Sequence, residues 1–416
     1  MKTKQQKVVQ KRESEWIELE EKSHCSFNLC KKYINNEENS ERSDQLFCNS
    51  AQNNYLCGSI YKHTDRIDMN EKTDSRVLLI YTGGTIGMSR NPSTGALQPF
   101  DFSQLRAFIP EIEHLHIHID VQSFNPPIDS SDMSPQLWIQ LVEGISRVYD
   151  QYDGFVILHG TDTMAFTASA LSFMFDNLTK PVILTGSQLP IGQPRTDGKE
   201  NLITSLEIAA AKNSFGQAIV PEVCIYFNGK LLRGNRTTKH SAEEFNAFKS
   251  FNYPSLANAG VDLVFHESNI RRPDYDKPMI PQTEIDASII IFSLFPGIRE
   301  DIIRHVLGMP VKGVVMRTYG SGNAPQLPWL KEAIAEASIE GKIIVNVSQC
   351  MQGSVAMERY DTGYQLKEAG VVSGRDMTVE SAVTKLMCLM AKHLPADEVR
   401  RLMSRDLRGE ITVYGG

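Results

Sequence analysis

The sequence lacks several features that mark secreted, membrane-spanning or nucleic-acid-binding proteins. It has seven cysteines but no Cys-x-x-Cys pair, which disfavours a zinc site or a disulfide framework and is typical of a reducing cytoplasm. No apolar run approaches the roughly 20 residues of a membrane-spanning helix, and none follows the lysine-rich start as a secretory signal would require. Its 43 Lys and Arg against 50 Asp and Glu give a net charge of −7, which disfavours a general nucleic-acid or anionic-membrane surface.

What the chain does contain is enough length and apolar content for large buried cores. Its 416 residues, 41% hydrophobic and 22% charged, are typical of a globular protein with two or three domains. Residues 1–75 differ, since they are rich in Lys, Glu, Asn and Ser and show no sustained periodicity. We predict a polar, disordered leader there, because so few aliphatic residues cannot offset the entropy of ordering the chain. The alternative is that Met69 is the natural start and the leader a gene-model artefact.

From residue 76 onward, strand and helix patterns alternate. Continuous apolar runs predict strands buried on both faces at 77–81, 155–158, 182–184, 223–227, 289–292, 314–316 and 343–347. Helices are predicted at 134–148, 164–177, 201–211, 301–307, 330–340 and 378–393. The first helix would open with Ser134 as its N-cap and Pro135 at its first position. This alternation predicts an α/β fold with a mainly parallel sheet.

A polar, proline-rich passage over residues 267–287 interrupts this alternation. A passage of this composition without periodicity is typical of an interdomain linker. We therefore predict a larger N-terminal domain over 76–266 and a smaller C-terminal domain over 288–416.

Two glycine-flanked threonines stand directly after predicted strands. Thr85 lies in Thr-Gly-Gly-Thr-Ile-Gly (82–87), and Thr161 lies in His-Gly-Thr-Asp-Thr-Met (159–164). Reactive groups in open α/β sheets collect beyond the carboxyl ends of strands, so these hydroxyls and the Asp162 carboxylate make a candidate nucleophilic site. The alternatives are helix capping and a phosphate-binding loop, although neither GxxxxGK[ST] nor GxGxxG spacing is present.

Together these motifs resemble those of the bacterial asparaginase family, and the wider pattern is similar to its type I, cytoplasmic form. Further similar blocks lie in family order at 128–133, 184–188, 233–239 and 319–325, so that the resemblance runs from about residue 76 to the end. It implies a two-domain α/β architecture and hydrolysis of L-asparagine to L-aspartate and ammonia. It also implies a homo-oligomer, a dimer or tetramer, that needs no cofactor or metal and binds neither nucleic acid nor membrane.

The resemblance assigns catalytic roles to residues of these blocks. Thr85 would attack the amide carbon and form an acyl-enzyme, while Thr161 and Lys239 would activate Thr85 or the hydrolytic water. Burial lowers the pKa of a lysine and a nearby carboxylate raises it, so Asp162 is expected to orient groups and bind the substrate ammonium. The sequence leaves the proton path open, as it does the order in which the two threonines act.

Two binding sites follow from the same resemblance. Ser130 and Ser131 would bind the α-carboxylate of the substrate, and Asp129 with Asp162 would bind its ammonium. The alternative for this Asp-Ser-Ser-Asp stretch is a simple turn before a helix.

A second, allosteric asparagine site would comprise Thr238, Arg317, Asn323 and Cys350, of which Arg317 is suited to bidentate carboxylate binding. One position departs from the family pattern. Ala96 stands where the family's mobile loop carries a tyrosine, so we assign no catalytic tyrosine.

Two alternative functions remain open at this level. The ammonia-generating subunit of an archaeal-type tRNA-dependent amidotransferase shares the catalytic core, but its N-terminal extension is a small β domain and residues 1–74 show no alternating strand pattern. An inactive asparagine sensor is disfavoured because Thr85, Thr161, Asp162 and Lys239 are all retained. The preference for asparagine over glutamine is not predicted.

Overall fold

A computed structural model describes residues 75–90, 97–99 and 109–413. Of the predicted leader only Ser75 lies within these residues, and it is buried there, with its hydroxyl donating to the Ala210 carbonyl at 3.2 Å, so it belongs to the fold and not to a disordered leader. The rest of the predicted leader, with the proposed start at Met69, and Ala96 lie outside the described residues. The strands in chain order are β1 (Arg76–Tyr81), β2 (Met88–Arg90), β3 (Leu97–Pro99), β4 (His118–Ser123), β5 (Gly154–Leu158), β6 (Phe175–Asp176), β7 (Val182–Thr185), β8 (Val223–Phe227), β9 (Lys230–Arg233), β10 (Thr238–Lys239), β11 (Phe248–Lys249), β12 (Ala257–Ala259), β13 (Leu263–Phe265), β14 (Ile280–Pro281), β15 (Ile289–Ser293), β16 (Gly313–Thr318), β17 (Ile343–Ser348) and β18 (Val372–Ser373).

Helices alternate with these strands. They are α1 (Pro135–Val148), α2 (Met164–Met174), α3 (Gly198–Ala210), α4 (Glu300–Gly308), α5 (Pro328–Ile339), α6 (Asp361–Glu368), α7 (Val379–Met390) and α8 (Ala396–Met403). Within the described part of the chain, no helix is long and apolar enough to cross a membrane.

A large sheet of eight strands forms the first half of the fold, in the order β13-β12-β9-β8-β7-β5-β1-β4. Its strands from β4 to β8 run parallel, while β9, β12 and β13 run antiparallel at one side. The second half is a parallel sheet in the order β15-β16-β17-β18. The predicted α/β class, with a larger mainly parallel N-terminal part and a smaller C-terminal part, is confirmed.

Both faces of the large sheet are buried. In β1, Val77 and Leu79 pack with Leu202 of α3, whereas the alternate residues pack on the other face with α1 and α2. Successive side chains of a strand point to opposite faces, so a continuous apolar run is what a strand between two helical layers requires. In the smaller sheet the central strand β16 is built alike, with Met316 on one face and Val315 on the other. Strand β15 was predicted to be buried on both faces, but it lies at the edge of this sheet and is partly exposed.

The sequence predictions differ from the structure at element ends and at the exposed edges. The helix predicted over 164–177 ends at Met174, because Phe175–Asp176 pairs with β14. Helix α1 begins at Pro135 as predicted, yet the Ser134 side chain makes no capping hydrogen bond. Strand β4 was not predicted, since it lies at the sheet edge with mostly exposed side chains and no apolar run.

The stretch over 267–287 contains a short 3-10 turn at Glu267–Asn269 and the two-residue strand β14. Its role as a linker, and the domain boundaries on either side of it, stay predictions.

Candidate active site

Parallel pairing of β1 and β5 brings both threonine motifs to the same edge of the large sheet. The loop after β1 carries Thr85 and the loop after β5 carries Thr161. Because neighbouring parallel strands end side by side, loops far apart in sequence begin next to each other. The Thr82 hydroxyl fixes the first loop by donating to the Leu158 carbonyl at 2.9 Å.

The two loops touch through their glycines. A Cβ atom on Gly84 would lie 2.5 Å from the Cα of Gly160, and Gly84 has a φ of +91°, which favours glycine. A Cβ atom on Gly160 would in turn lie 2.5 Å from the Ser130 hydroxyl oxygen. Three predicted blocks, those of Thr85, Thr161 and Ser130, therefore meet at one point because two of them lack side chains there.

Thr85 begins a single 3-10 turn, Thr85–Gly87, in which Ile86 and Gly87 are buried. Beneath it the Tyr81 hydroxyl donates to the Gly87 carbonyl at 3.3 Å, and burial raises the pKa of Tyr81 to about 12, so it stays protonated. Thr85 itself is half-buried, and its hydroxyl makes no hydrogen bond to another described residue. A hydroxyl held on a fixed turn without such a partner is free to meet a substrate.

Lys239 joins the second threonine to its neighbouring carboxylate. Its Nζ donates to the Thr161 Oγ1 at 2.9 Å and to the Asp162 Oδ1 at 2.7 Å. The Lys239 side chain is only 18% exposed, whereas that of Asp162 is 64% exposed. The predicted Thr-Lys-Asp group is thus assembled, with the amine placed as a donor to the threonine oxygen.

Gln188, in the loop after β7, completes the surroundings of Thr161 and was not assigned a role from the sequence. The Thr161 hydroxyl points to its Oε1 at 3.5 Å, and Gln188 Nε2 donates to the Glu244 carbonyl at 3.0 Å. The motif Leu-Thr-Gly-Ser-Gln at the end of a buried strand could have indicated Gln188 as a site residue. Strand β7 lies next to β5, so the loops that follow the two strands are neighbours.

A buried network that the sequence did not reveal fixes the loop before Thr161. The Trp138 indole donates to Thr167 Oγ1 at 3.0 Å, and Thr167 lies 2.9 Å from Nε2 of His159. His159 Nδ1 lies 2.6 Å from the Gly160 carbonyl, which only accepts, so Nδ1 carries the proton and Nε2 accepts from Thr167. Burial lowers the pKa of His159 to about 4, so the ring is neutral near pH 7.

The predicted substrate-binding residues lie on the short turn Ser130–Asp132. Asp129 caps this turn by accepting from the backbone N–H and the hydroxyl of Ser131, both at 2.9 Å. These hydrogen bonds, that from the backbone first, lower the pKa of Asp129 and keep it ionised. Ser130 is buried against Gly160, and its carbonyl accepts from the Thr163 hydroxyl at 2.6 Å.

The predicted effector residues occupy two places in the fold. Arg317 is the last residue but one of β16, while Asn323 and Cys350 follow β16 and β17, so these three share one edge of the smaller sheet. Thr238 lies on β10 instead, and its hydroxyl donates to Glu380 at 2.6 Å. Across the described residues, no group of three or more His, Cys, Asp or Glu side chains could hold a metal ion.

Two family profiles cover most of this structure. "Asparaginase, N-terminal" matches residues 76–271, and "Glutaminase/Asparaginase C-terminal domain" matches residues 288–403. L-asparaginase 1 of Escherichia coli (strain K12) is 44% identical over 348 residues, which cover 81% of this chain and 98% of that protein. The crystal structure of L-asparaginase I from Vibrio cholerae is 40% identical, has a TM-score of 0.74, and aligns over 82% of this chain and 99% of its own.

A more distant relative bears on the amidotransferase alternative. A glutamyl-tRNA(Gln) amidotransferase subunit of Pyrococcus abyssi is 33% identical over 353 residues, which cover 81% of this chain and 77% of that protein.

Proposed function

The chain belongs to the asparaginase family and is an enzyme of the L-asparaginase class, and on that premise we propose that it hydrolyses L-asparagine to L-aspartate and ammonia through an acyl-enzyme on Thr85. The observation that carries this proposal is the contact of Lys239 with Thr161 and Asp162 beside the glycine contact that holds the Thr85 loop. A nucleophile and an acid–base group on neighbouring loops are what acyl transfer requires.

In the proposed reaction, the Thr85 oxygen attacks the side-chain amide carbon of asparagine. The Thr85 proton passes through Thr161 to the amide nitrogen, which leaves as ammonia. Water then attacks the resulting ester, releases aspartate and returns a proton to Thr85. Lys239 donates to the Thr161 oxygen and so stabilises negative charge there while that proton moves, and Asp162 holds the amine in place.

Substrate recognition follows from charge. Ser130 and Ser131, with the backbone N–H groups of their turn, bind the α-carboxylate in this proposal. Asp129 and Asp162 present negative charge to the α-ammonium, and Asp129 stays ionised because Ser131 donates to it. The ammonium would replace water at Asp162, whose carboxylate is largely exposed.

We further propose a cytoplasmic homo-oligomer in which asparagine is also an effector. Its site would contain Thr238, Arg317, Asn323 and Cys350. The Nε of Arg317 is buried and has no hydrogen-bond partner among the described residues, as expected if the guanidinium donates to the carboxylate of a bound ligand. The type I resemblance and the unpaired state of Cys224, Cys350 and Cys388 favour the cytoplasm.

Ammonia release tests the proposed function. Purified protein would be given asparagine or glutamine over a concentration series, without tRNA, and with Lys239→Met as the control. We expect turnover of asparagine, strongly reduced in the control. Activity that requires tRNA would favour the amidotransferase alternative instead, and asparagine binding without any turnover would favour a sensor.

A further inference from the structure

The residues just before Lys239 are bound to the C-terminal end of the described chain. Asn235 Nδ2 donates to the Arg408 carbonyl at 3.0 Å, and Arg233 Nη1 donates to the Gly409 carbonyl at 3.3 Å. We call residues 405–412 the terminal segment. It lies about 170 positions from β9 in sequence, yet it accepts hydrogen bonds from side chains within six residues of Lys239.

Arg236 makes the densest set of these contacts. Its guanidinium donates to the Glu410 carbonyl at 2.5 Å, to Thr412 Oγ1 at 2.8 Å and to Asp376 Oδ2 at 2.7 Å. The Arg236 side chain is only 1% exposed, so its contacts with Glu410 and Asp376 form away from water, whereas Thr412 is partly exposed. The Thr412 hydroxyl donates to the same Asp376 oxygen at 2.5 Å, which closes a ring of three side chains.

The terminal segment is itself fixed to helix α7. Lys385 of α7 and Glu410 are both fully buried, and Lys385 Nζ lies 2.5 Å from Glu410 Oε1. The Glu410 carboxylate also accepts from the backbone N–H groups of Leu407 and Arg408, the latter at 2.6 Å. Separating such a buried ion pair is strongly destabilising, because it leaves an uncompensated charge away from water. The segment is therefore a fixed support.

Lys239 depends on such a support because its own strand is short. β10 consists of Thr238 and Lys239 and pairs with the two-residue strand β11. The adjoining Thr238 hydroxyl donates to Glu380, in the first turn of α7. The residues beside Lys239 thus make side-chain contacts with the second half of the chain. The Lys239 amine itself donates to Thr161, on the loop after β5.

We propose that Arg236, held by Asp376, Thr412 and the Glu410 carbonyl, is a positioning residue that sets the Lys239 amine against Thr161. This inference rests on the proposed function, since it takes Lys239 to assist catalysis. A displacement of about 1 Å at a reacting group can cost on the order of 10²-fold in rate. Contacts with the terminal segment would therefore change the turnover rate although none of these residues contacts the substrate.

The kinetic test uses Arg236→Lys and the milder Thr412→Val, each alone and combined with Lys239→Met. Lysine keeps the charge but replaces the planar guanidinium, which also donates to the Asn252 carbonyl, with a single ammonium nitrogen, and valine removes only a hydroxyl. We expect kcat to fall by about tenfold in Arg236→Lys and about threefold in Thr412→Val, with KM within about twofold. In the Lys239→Met background neither change should lower the residual rate further, because both act through the lysine. Losses that multiply in that background, or wild-type kcat in both folded single variants, would overturn the proposal.

A second measurement gives the chemical reactivity of the Lys239 amine and does not depend on enzymatic activity. Amine acetylation by acetic anhydride, followed by peptide mass spectrometry, gives the reactivity of Lys239 relative to Lys277, whose side chain is 72% exposed. We expect Lys239 to react several-fold faster in Thr412→Val and Arg236→Lys. Unchanged reactivity would reject the positioning role even if the wild-type protein released no ammonia, so the two proposals fail separately.

Asp176→Asn is the matched control. It cuts the 2.7 Å ion pair between Arg408 of the terminal segment and β6, which is not part of the stretch before Lys239. We expect both kcat and Lys239 reactivity to stay within about twofold of wild type, because this pair is partly exposed and holds the segment elsewhere. Equal losses in this control would mean that general loosening of the segment, and not Arg236, governs the lysine.

Discussion

Thr85 differs from Thr161 and Ser131 in that its hydroxyl has no hydrogen-bond partner among the described residues. Thr161 contacts Lys239 and Gln188, and Ser131 contacts Asp129. A hydroxyl committed to neighbours is held for proton transfer or binding, whereas an uncommitted one on a fixed turn can approach a carbonyl carbon. This contrast assigns the attack to Thr85 and the acid–base role to Thr161 in the proposed mechanism.

Thr85→Ala should therefore remove at least about 10³-fold of the asparaginase rate, as expected for loss of a nucleophile. The free energy of unfolding should stay within about 0.5 kcal/mol, because a half-buried methyl and hydroxyl are lost without opening a core cavity. Steady-state ammonia release and urea denaturation check the two parts. Turnover within threefold of wild type would remove Thr85 from the nucleophile role.

Thr161→Val and Lys239→Met should each cost on the order of 10²-fold or more, as expected for lost acid–base assistance. The 2.9 Å contact between their side chains makes them one unit. The double variant should then be little worse than either single one, because residues that act as a unit are not additive. A double-mutant cycle on kcat measures this, and clean additivity would separate the two residues mechanistically.

The sequence predicted the type of site more fully than the contacts within it. Thr161, Asp162 and Lys239 were named together, and they are within hydrogen-bond distance. The support of His159 by Thr167 and Trp138 was not foreseen. A threonine or tryptophan on an apolar helix face does not reveal its partner, because that partner depends on how two helices pack on the sheet.

At the scale of elements, continuous apolar runs decided which strands could be predicted. The five residues of β5 and of β8 are all buried, and both runs were found from continuous apolar residues. Short paired segments such as β10 and β14 have two residues each, too few for any periodicity. Helices α6 and α8 were missed because neighbouring elements, and not a long apolar stripe, stabilise these eight-residue segments.

The glycine contact between the β1 and β5 loops provides a test at this scale. Gly160→Ala would place a methyl group 2.5 Å from the buried Ser130 hydroxyl oxygen and 2.7 Å from its Cβ, so one of the loops must move. We expect kcat/KM for asparagine to fall on the order of 10²-fold, because the shift displaces Ser130 or Thr161. Activity close to wild type would show that the loops do not need this contact.

Gly144→Ala is the matched control for that substitution. Gly144 lies inside helix α1, and a Cβ atom there would meet nothing within 4 Å. Alanine in a helix interior is favoured over glycine by about 0.5–1 kcal/mol, so this variant should be slightly more stable and fully active. The comparison separates the effect of a methyl group from that of its position.

At the scale of the whole molecule, the second half of the chain contacts the stretch that carries Lys239 of the candidate site. Thr85 and Thr161 lie on loops that follow strands of the large sheet, and the Lys239 amine donates to Thr161. The residues just before Lys239 contact α7 and the terminal segment. The sequence indicated two halves from the polar, proline-rich passage over 267–287 that interrupts the alternation of strands and helices. It could not indicate that the chain returns at 405–412 to the stretch before Lys239, because no local pattern encodes so distant a contact.

The last prediction concerns Arg317 of the proposed effector site. If it binds the carboxylate of an effector asparagine, the rate of the oligomer should rise sigmoidally with asparagine. A coupling of about 1–3 kcal/mol would change affinity or activation by several-fold to a hundredfold. Arg317→Ala should flatten or right-shift that curve without abolishing turnover, because Arg317 lies on β16 of the smaller sheet, whereas the threonine loops follow strands of the large sheet. Arg299→Ala, which removes an exposed arginine paired with Asp301, should leave the curve unchanged. Hyperbolic wild-type kinetics, with one asparagine bound per protomer by calorimetry, would reject the effector site and leave the catalytic assignment intact.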